Sequence, residues 1–120
     1  MPQSFRAAVL VLATTGIAAP ALADYQPIRD RAEFLGVVTQ GELTRMGIRL
    51  TVTRDGAISG SAFGREVTGN WTWEDGFFCR DLAWGDTEIG YNCQEVARDG
   101  RSLRFTSDKG TGESASLRLE

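Results

Sequence analysis

The sequence predicts a mainly β domain: an antiparallel meander of about eight strands forming a small barrel or a strongly curved sheet, with a short N-terminal helix and one disulfide. Three observations carry this expectation. From Gly41 onward, apolar and polar residues alternate with a period of two. Asp-Gly pairs at 55–56, 75–76 and 99–100 separate the alternating runs, and such pairs suit tight hairpins because both central positions of a type I′ turn need positive φ. Cys79 and Cys93 lie symmetrically about Asp86, a spacing that sets them opposite each other on neighbouring strands.

The first 23 residues read as an export signal. Arg6 is the sole charge of the n-region, Ala7 to Ala19 form an apolar stretch, and Ala21-Leu22-Ala23 is an A-x-A cleavage site before Asp24. The apolar run is broken by Thr14, Thr15 and Gly16 and stops at Pro20, short of the roughly 20 residues that span a bilayer. No later segment approaches that length. The expected organisation is a signal peptide over 1–23 and a single disulfide-stapled β domain over 24–120. Export places the protein in the periplasm or outside the cell, where a pair of thiols oxidises.

The mature chain opens with a helix signal. Asp30 stands three residues before Glu33, the spacing of a capping box, and Phe34, Leu35 and Val38 follow on one face. Gly36 and the pair Val37-Val38 leave a strand as the alternative. Strands are then expected near 42–45, 48–54, 57–63, 66–73, 77–84, 88–97, 101–107 and 113–119. Eight strands in sequence order can close up-and-down, which removes exposed edges; an open curved sheet capped by the helix is the other arrangement. Taking Gly85-Asp86-Thr87 as a hairpin loop sets Trp84 opposite Glu88 and Cys79 opposite Cys93, within reach of a disulfide.

Composition narrows the chemistry. The chain has 13 Lys plus Arg against 16 Asp plus Glu, a net charge of −3, and no histidine. Loss of Arg6 with the signal leaves 12 against 16, a net of −4. A mildly acidic chain without a basic run is unsuited to nucleic acid. The absence of histidine removes Ser-His-Asp and Cys-His nucleophile systems and histidine-containing zinc sites. Gly110-Thr111-Gly112 precedes a strand-like run and so makes a turn, not a phosphate loop. No catalytic, cofactor-binding or metal-binding residue is assigned. Asp81, Asp86, Glu88 and Glu95 lie around the fifth and sixth strands, where a carboxylate dyad is conceivable, and an acid-base enzyme built on them is the least favoured reading.

Aromatics supply the remaining candidates. Trp71 and Trp73 share a strand face, as do Phe78, Leu82 and Trp84 on the next strand; Phe63, Phe77, Cys79, Ala83, Tyr91 and Phe105 complete an apolar inventory large enough for a small barrel. The packed-core reading of this set is preferred, because eight-stranded barrels are often filled by their own side chains. The competing reading is an aromatic-lined cup, with Trp71, Trp73, Trp84 and Tyr91 at its wall and Arg80, Tyr91 or Arg104 orienting a ligand or partner.

The strings Asp55 to Gly60, Gly69 to Arg80, Tyr91 to Gln94 and Arg104 to Asp108 resemble a group of short exported bacterial proteins without established function. Members of that group sometimes carry the label dihydrodipicolinate reductase. Those reductases are two-domain Rossmann enzymes with a glycine-rich nucleotide loop and a histidine-rich catalytic motif, and this chain has neither the length nor one histidine. Gly69-Asn70-Trp71 is similar to the G-x-W of lipocalin-like barrels, which lies on their first strand and here lies mid-chain. The expected function is a monomeric, non-enzymatic periplasmic binding or inhibitory accessory, partnered by an envelope protein. In size, location and strand content it resembles small exported inhibitors of metalloproteases or lysozyme. The alternative is a carrier of a small apolar ligand.

Overall fold

The computed structural model describes residues 24–120; the expected signal peptide lies outside the described residues. Nine strands form one sheet: β1 Gln26–Ile28, β2 Leu43–Arg45, β3 Ile48–Val52, β4 Ala57–Ala62, β5 Arg65–Glu74, β6 Phe77–Trp84, β7 Thr87–Asp99, β8 Ser102–Thr106 and β9 Ser114–Leu119. Strands β2 to β9 pair antiparallel in sequence order, and β9 pairs back onto β2, which closes an eight-stranded barrel. These are the eight runs read from the sequence. The barrel, not the open sheet, is the arrangement found.

The ninth strand, β1, was not anticipated. It pairs with Val96–Arg98 of β7, beyond the point where β6 stops at Gln94. β7 is 13 residues long, so its last residues carry β8 on one side and leave the other side for β1. Pro27 is tolerated because β1 is an edge strand of three residues.

A helix, α1 (Arg31–Val38), follows β1 and closes one end of the barrel. Asp30 caps it by accepting the Ala32 N–H at 3.0 Å. Phe34, Leu35, Val37 and Val38 are all buried. Phe34 meets Trp71, Trp73 and Phe78 at centroid separations of 5.5, 5.0 and 5.1 Å. This aromatic layer, with Phe105 against Phe78 at 5.5 Å, belongs to the buried core.

The three Asp-Gly hairpins differ in kind. Asp75 and Gly76 both have positive φ, 52° and 84°, as a type I′ turn requires. Asp55-Gly56 lies in a longer loop, where Gly56 N–H bonds Thr53 O at 3.2 Å and only the glycine has positive φ. Asp99 belongs to β7, and the two-residue turn there is Gly100-Arg101. An unforeseen pair, Phe63-Gly64, supplies another turn with positive φ at both positions. Phe63 is consequently 69% exposed at a turn tip and does not belong to the core, as its place in the apolar inventory implied.

The β6–β7 hairpin reaches the expected cysteine pairing by a different route. Its loop has two residues, so Trp84 opposes Thr87 and not Glu88. A bulge at Leu82/Ala83, where Ile89 has no partner, restores the missing residue and sets Cys79 opposite Cys93. The two are bonded, with Cα atoms 3.9 Å apart, as in the closer of the two antiparallel pair types. Register places this bond on the outer face: Trp73, Trp71, Gly69 and Val67 oppose Phe78, Arg80, Leu82 and Trp84, and those eight face inward. Phe77, Cys79 and Tyr91 point the other way, although Cys79 is buried.

Gly69 has a specific packing reason. A Cβ there would stand 2.2 Å from Asp81 O and 2.7 Å from a Leu82 methyl. Leu82 occupies the space beside Gly69. Gly69→Ala is expected to destabilise the domain by about 1–3 kcal/mol, as overpacking does. A chemical-denaturation midpoint equal to that of the parent would refute this account.

Candidate functional site

The barrel is not filled. Beyond the aromatic layer lies a cavity of about 270 Å³, walled by Leu43, Leu50, Val52, Ile58, Phe78, Leu82, Phe105, Ala115 and Leu117. Its polar boundary consists of Arg80, Gln94, Ser107, Glu113 and Ser114, with Glu113 and Ser114 exposed to solvent. A second apolar recess of about 190 Å³ shares Leu50 and Leu82 with the first and continues toward Ile48, Ala62, Val67, Trp84 and Ile89. The space follows from the sequence. An eight-stranded barrel is just wide enough for side chains to fill, and the inward positions of the β4–β5 and β8–β9 walls include Gly60, Gly69 and Ala115.

Arg80 is the one charged side chain set into the apolar wall. It sits between Phe78 and Leu82 on the inward face of β6, partly buried. Its Nη1 donates to Gly90 O at 2.8 Å. The bulge turns that carbonyl inward: Gly90 follows the unpaired Ile89 and has a φ of 93°. Burial pushes the Arg80 guanidinium below its usual value, with Asp81 acting in the opposite sense. Beside it on β7, Asn92 bonds Asp108 twice, donating through Nδ2 at 2.8 Å and accepting the Asp108 N–H at 3.0 Å. The Ser107–Gly110 turn is thereby tied against β7 at the polar side of the cavity.

The other candidate residues are dispersed. Trp71 is 4% exposed, and its Nε1 donates to Thr53 O at 2.9 Å. Trp73 packs on Phe34 and donates to Arg29 O at 3.1 Å. Both belong to the layer under α1, so these two tryptophans pack in the core and do not line the cavity. Trp84 borders the second apolar recess, where Arg65 lies 4.3 Å over its ring. Tyr91 is outside, 63% exposed; its hydroxyl donates to Glu74 at 2.9 Å, which raises its pKa. Arg104 is also outside, stacked 4.4 Å over Tyr25. Of the six candidates, only Arg80 lines the apolar cavity of about 270 Å³.

Asp81 and Glu88 border a shallow outer groove with Thr68 and Asn70, whereas Asp86 lies in the β6–β7 turn and Glu95 pairs with Thr106 on β8. The four carboxylates do not converge in the cavity. Among the described residues, one acidic-thiol cluster has metal-ligand spacing, Glu74 with Cys79 and Cys93, and its two sulfurs are joined in the disulfide. The aliphatic walls carry no distinguishing signal in the sequence, because alternating Leu, Val and Ile positions look the same in a filled and an unfilled barrel. The inward aim of Arg80 had a signal: a two-residue turn at Asp75-Gly76 sets Arg80 opposite Trp71. No protein-family model, no curated protein and no solved structure matches this chain.

Proposed function

We propose that the protein is an exported, non-enzymatic binding domain whose barrel takes up a small ligand with an apolar body. The carrying observation is the apolar cavity of about 270 Å³ within the barrel. Unfilled, its apolar walls forgo the contacts that a packed core would make. A small domain has only about 5–15 kcal/mol of net stability in total, so a space this large is expensive to keep for packing alone. The signal-like residues 1–23 and the disulfide support placing the domain in an oxidising compartment.

Size sets the first test. A cavity of about 150 Å³ accepts benzene, so this one has room for roughly ten heavy atoms. Isothermal titration of the purified protein with 1-decanol is expected to give a Kd of roughly tens of micromolar. Ala115→Phe, which adds a ring at the cavity wall, is expected to abolish that binding while circular dichroism shows the parent's strand signal. Binding that survives Ala115→Phe, or no binding by the parent, refutes the assignment.

A second reading rests on a different feature. Met46 and Phe63 are 91% and 69% exposed, on the β2–β3 and β4–β5 turns, and the Phe63 ring lies against Gly47. Two apolar side chains on neighbouring turns are what a protein-docking accessory would present. Capture of an envelope protein by the parent, and its loss in a Met46→Ser/Phe63→Ser variant, would favour the inhibitor-like role.

A further inference from the structure

An arginine held in an apolar wall without an anion is an incomplete arrangement. Arg80 has five N–H donors, and the Gly90 carbonyl at 2.8 Å is its only hydrogen-bond partner among the described residues. Those residues form two ion pairs, Arg49–Glu42 and Arg118–Glu120, and Arg80 is in neither. The nearby acids are occupied or turned away. Asp81 faces the outer groove, Asp108 Oδ1 accepts from Asn92, and Glu113 stands on the exposed rim. Burying a guanidinium costs free energy unless an anion offsets it.

We propose that the cavity binds a medium-chain monocarboxylate, its carboxylate on the Arg80 guanidinium and its alkyl chain along Leu50, Val52, Ile58 and Leu82. The proposal rests on the ligand-binding reading above and adds the charge and class of the ligand. Guanidinium and carboxylate match as a two-pronged hydrogen-bonded pair, and Arg80 lines the cavity together with both its polar boundary and its aliphatic wall. The lowered guanidinium pKa fits the same picture, because desolvation is its largest cause. Chain length follows from volume, with roughly ten heavy atoms filling the space.

The test compares decanoate, 1-decanol and decylammonium on the purified protein by isothermal titration. Decanoate is expected to bind at least roughly tenfold tighter than decanol, and decylammonium no tighter than decanol. Arg80→Gln should erase the decanoate advantage while leaving decanol within about twofold, and Arg80→Lys should keep part of it because the point charge remains. Equal affinities for decanoate and decanol, or a preference that survives Arg80→Gln, overturn the headgroup assignment and leave the ligand-binding reading standing. Tighter binding of decylammonium does the same and points to Glu113. Failure of all three to bind overturns both. Should Arg80→Gln not fold, the parent's series and Arg80→Lys still decide.

Discussion

Trp71→Ala is expected to lose about 3–5 kcal/mol of stability, the usual cost of deleting a buried aromatic ring. Its ring lies between Phe34 and Phe78 at 5.5 and 5.6 Å, and Arg31 stands 5.5 Å over its face. Deletion also strips the Thr53 carbonyl of the indole N–H that donates to it at 2.9 Å. A loss of this size consumes a large part of a small domain's margin, so the variant should unfold at a much lower denaturant concentration than the parent. Trp71→Phe separates the two contributions: it keeps most of the ring and removes the indole donor while Gly56 N–H still bonds the Thr53 carbonyl, so a loss of about 0.5–1.5 kcal/mol is expected. Urea unfolding followed by far-ultraviolet circular dichroism reads both. A Trp71→Ala midpoint within experimental error of the parent would mean that the aromatic layer under α1 does not anchor the barrel.

That layer also marks the limit of what the residues disclosed unaided. Strand positions were legible because each alternating run is bounded by a turn signal, and because period two needs no knowledge of partners. The cysteine pairing was legible for a less obvious reason. The loop is one residue shorter than supposed and the bulge one residue longer, so the two errors cancel at Cys79 and Cys93. Glycine within a strand pattern is a bulge signal, and Gly90 carried it. β1 was not legible: Gln26-Pro27-Ile28 is short and contains a proline, and its place exists only because β7 outruns β6. The cavity was hidden for a similar reason. Which side chains fail to meet across a closed barrel depends on its closure, and alternation along single strands says nothing of it. A face of Leu50, Val52, Ile58 and Leu82 reads equally well as a filled core.

Replacing Cys79 and Cys93 together with alanine should lower stability by about 2–4 kcal/mol and leave the barrel intact. The bond closes a loop of 14 residues, for which the chain-entropy model gives about 3 kcal/mol. Two features of the structure keep the loss from becoming a loss of fold. The bond joins β6 and β7, which are already paired on both sides of it from Phe78 to Trp84, so it reinforces an existing ladder. It also lies on the outer face, away from the aromatic layer and the cavity. The buried Cys79 side chain adds only a small packing loss on truncation to alanine. Ligand binding is therefore expected to persist in the double variant at temperatures where it remains folded, with decanoate affinity within about twofold of the parent, because Arg80 is held by the bulge carbonyl of Gly90 and not by the sulfurs. Thermal unfolding and titration of the same sample decide the matter. A double variant that keeps its melting temperature would show the bond to be dispensable. One that stays folded but loses decanoate would show that the disulfide sets the geometry of the site, contrary to the placement of the two on opposite faces of one strand.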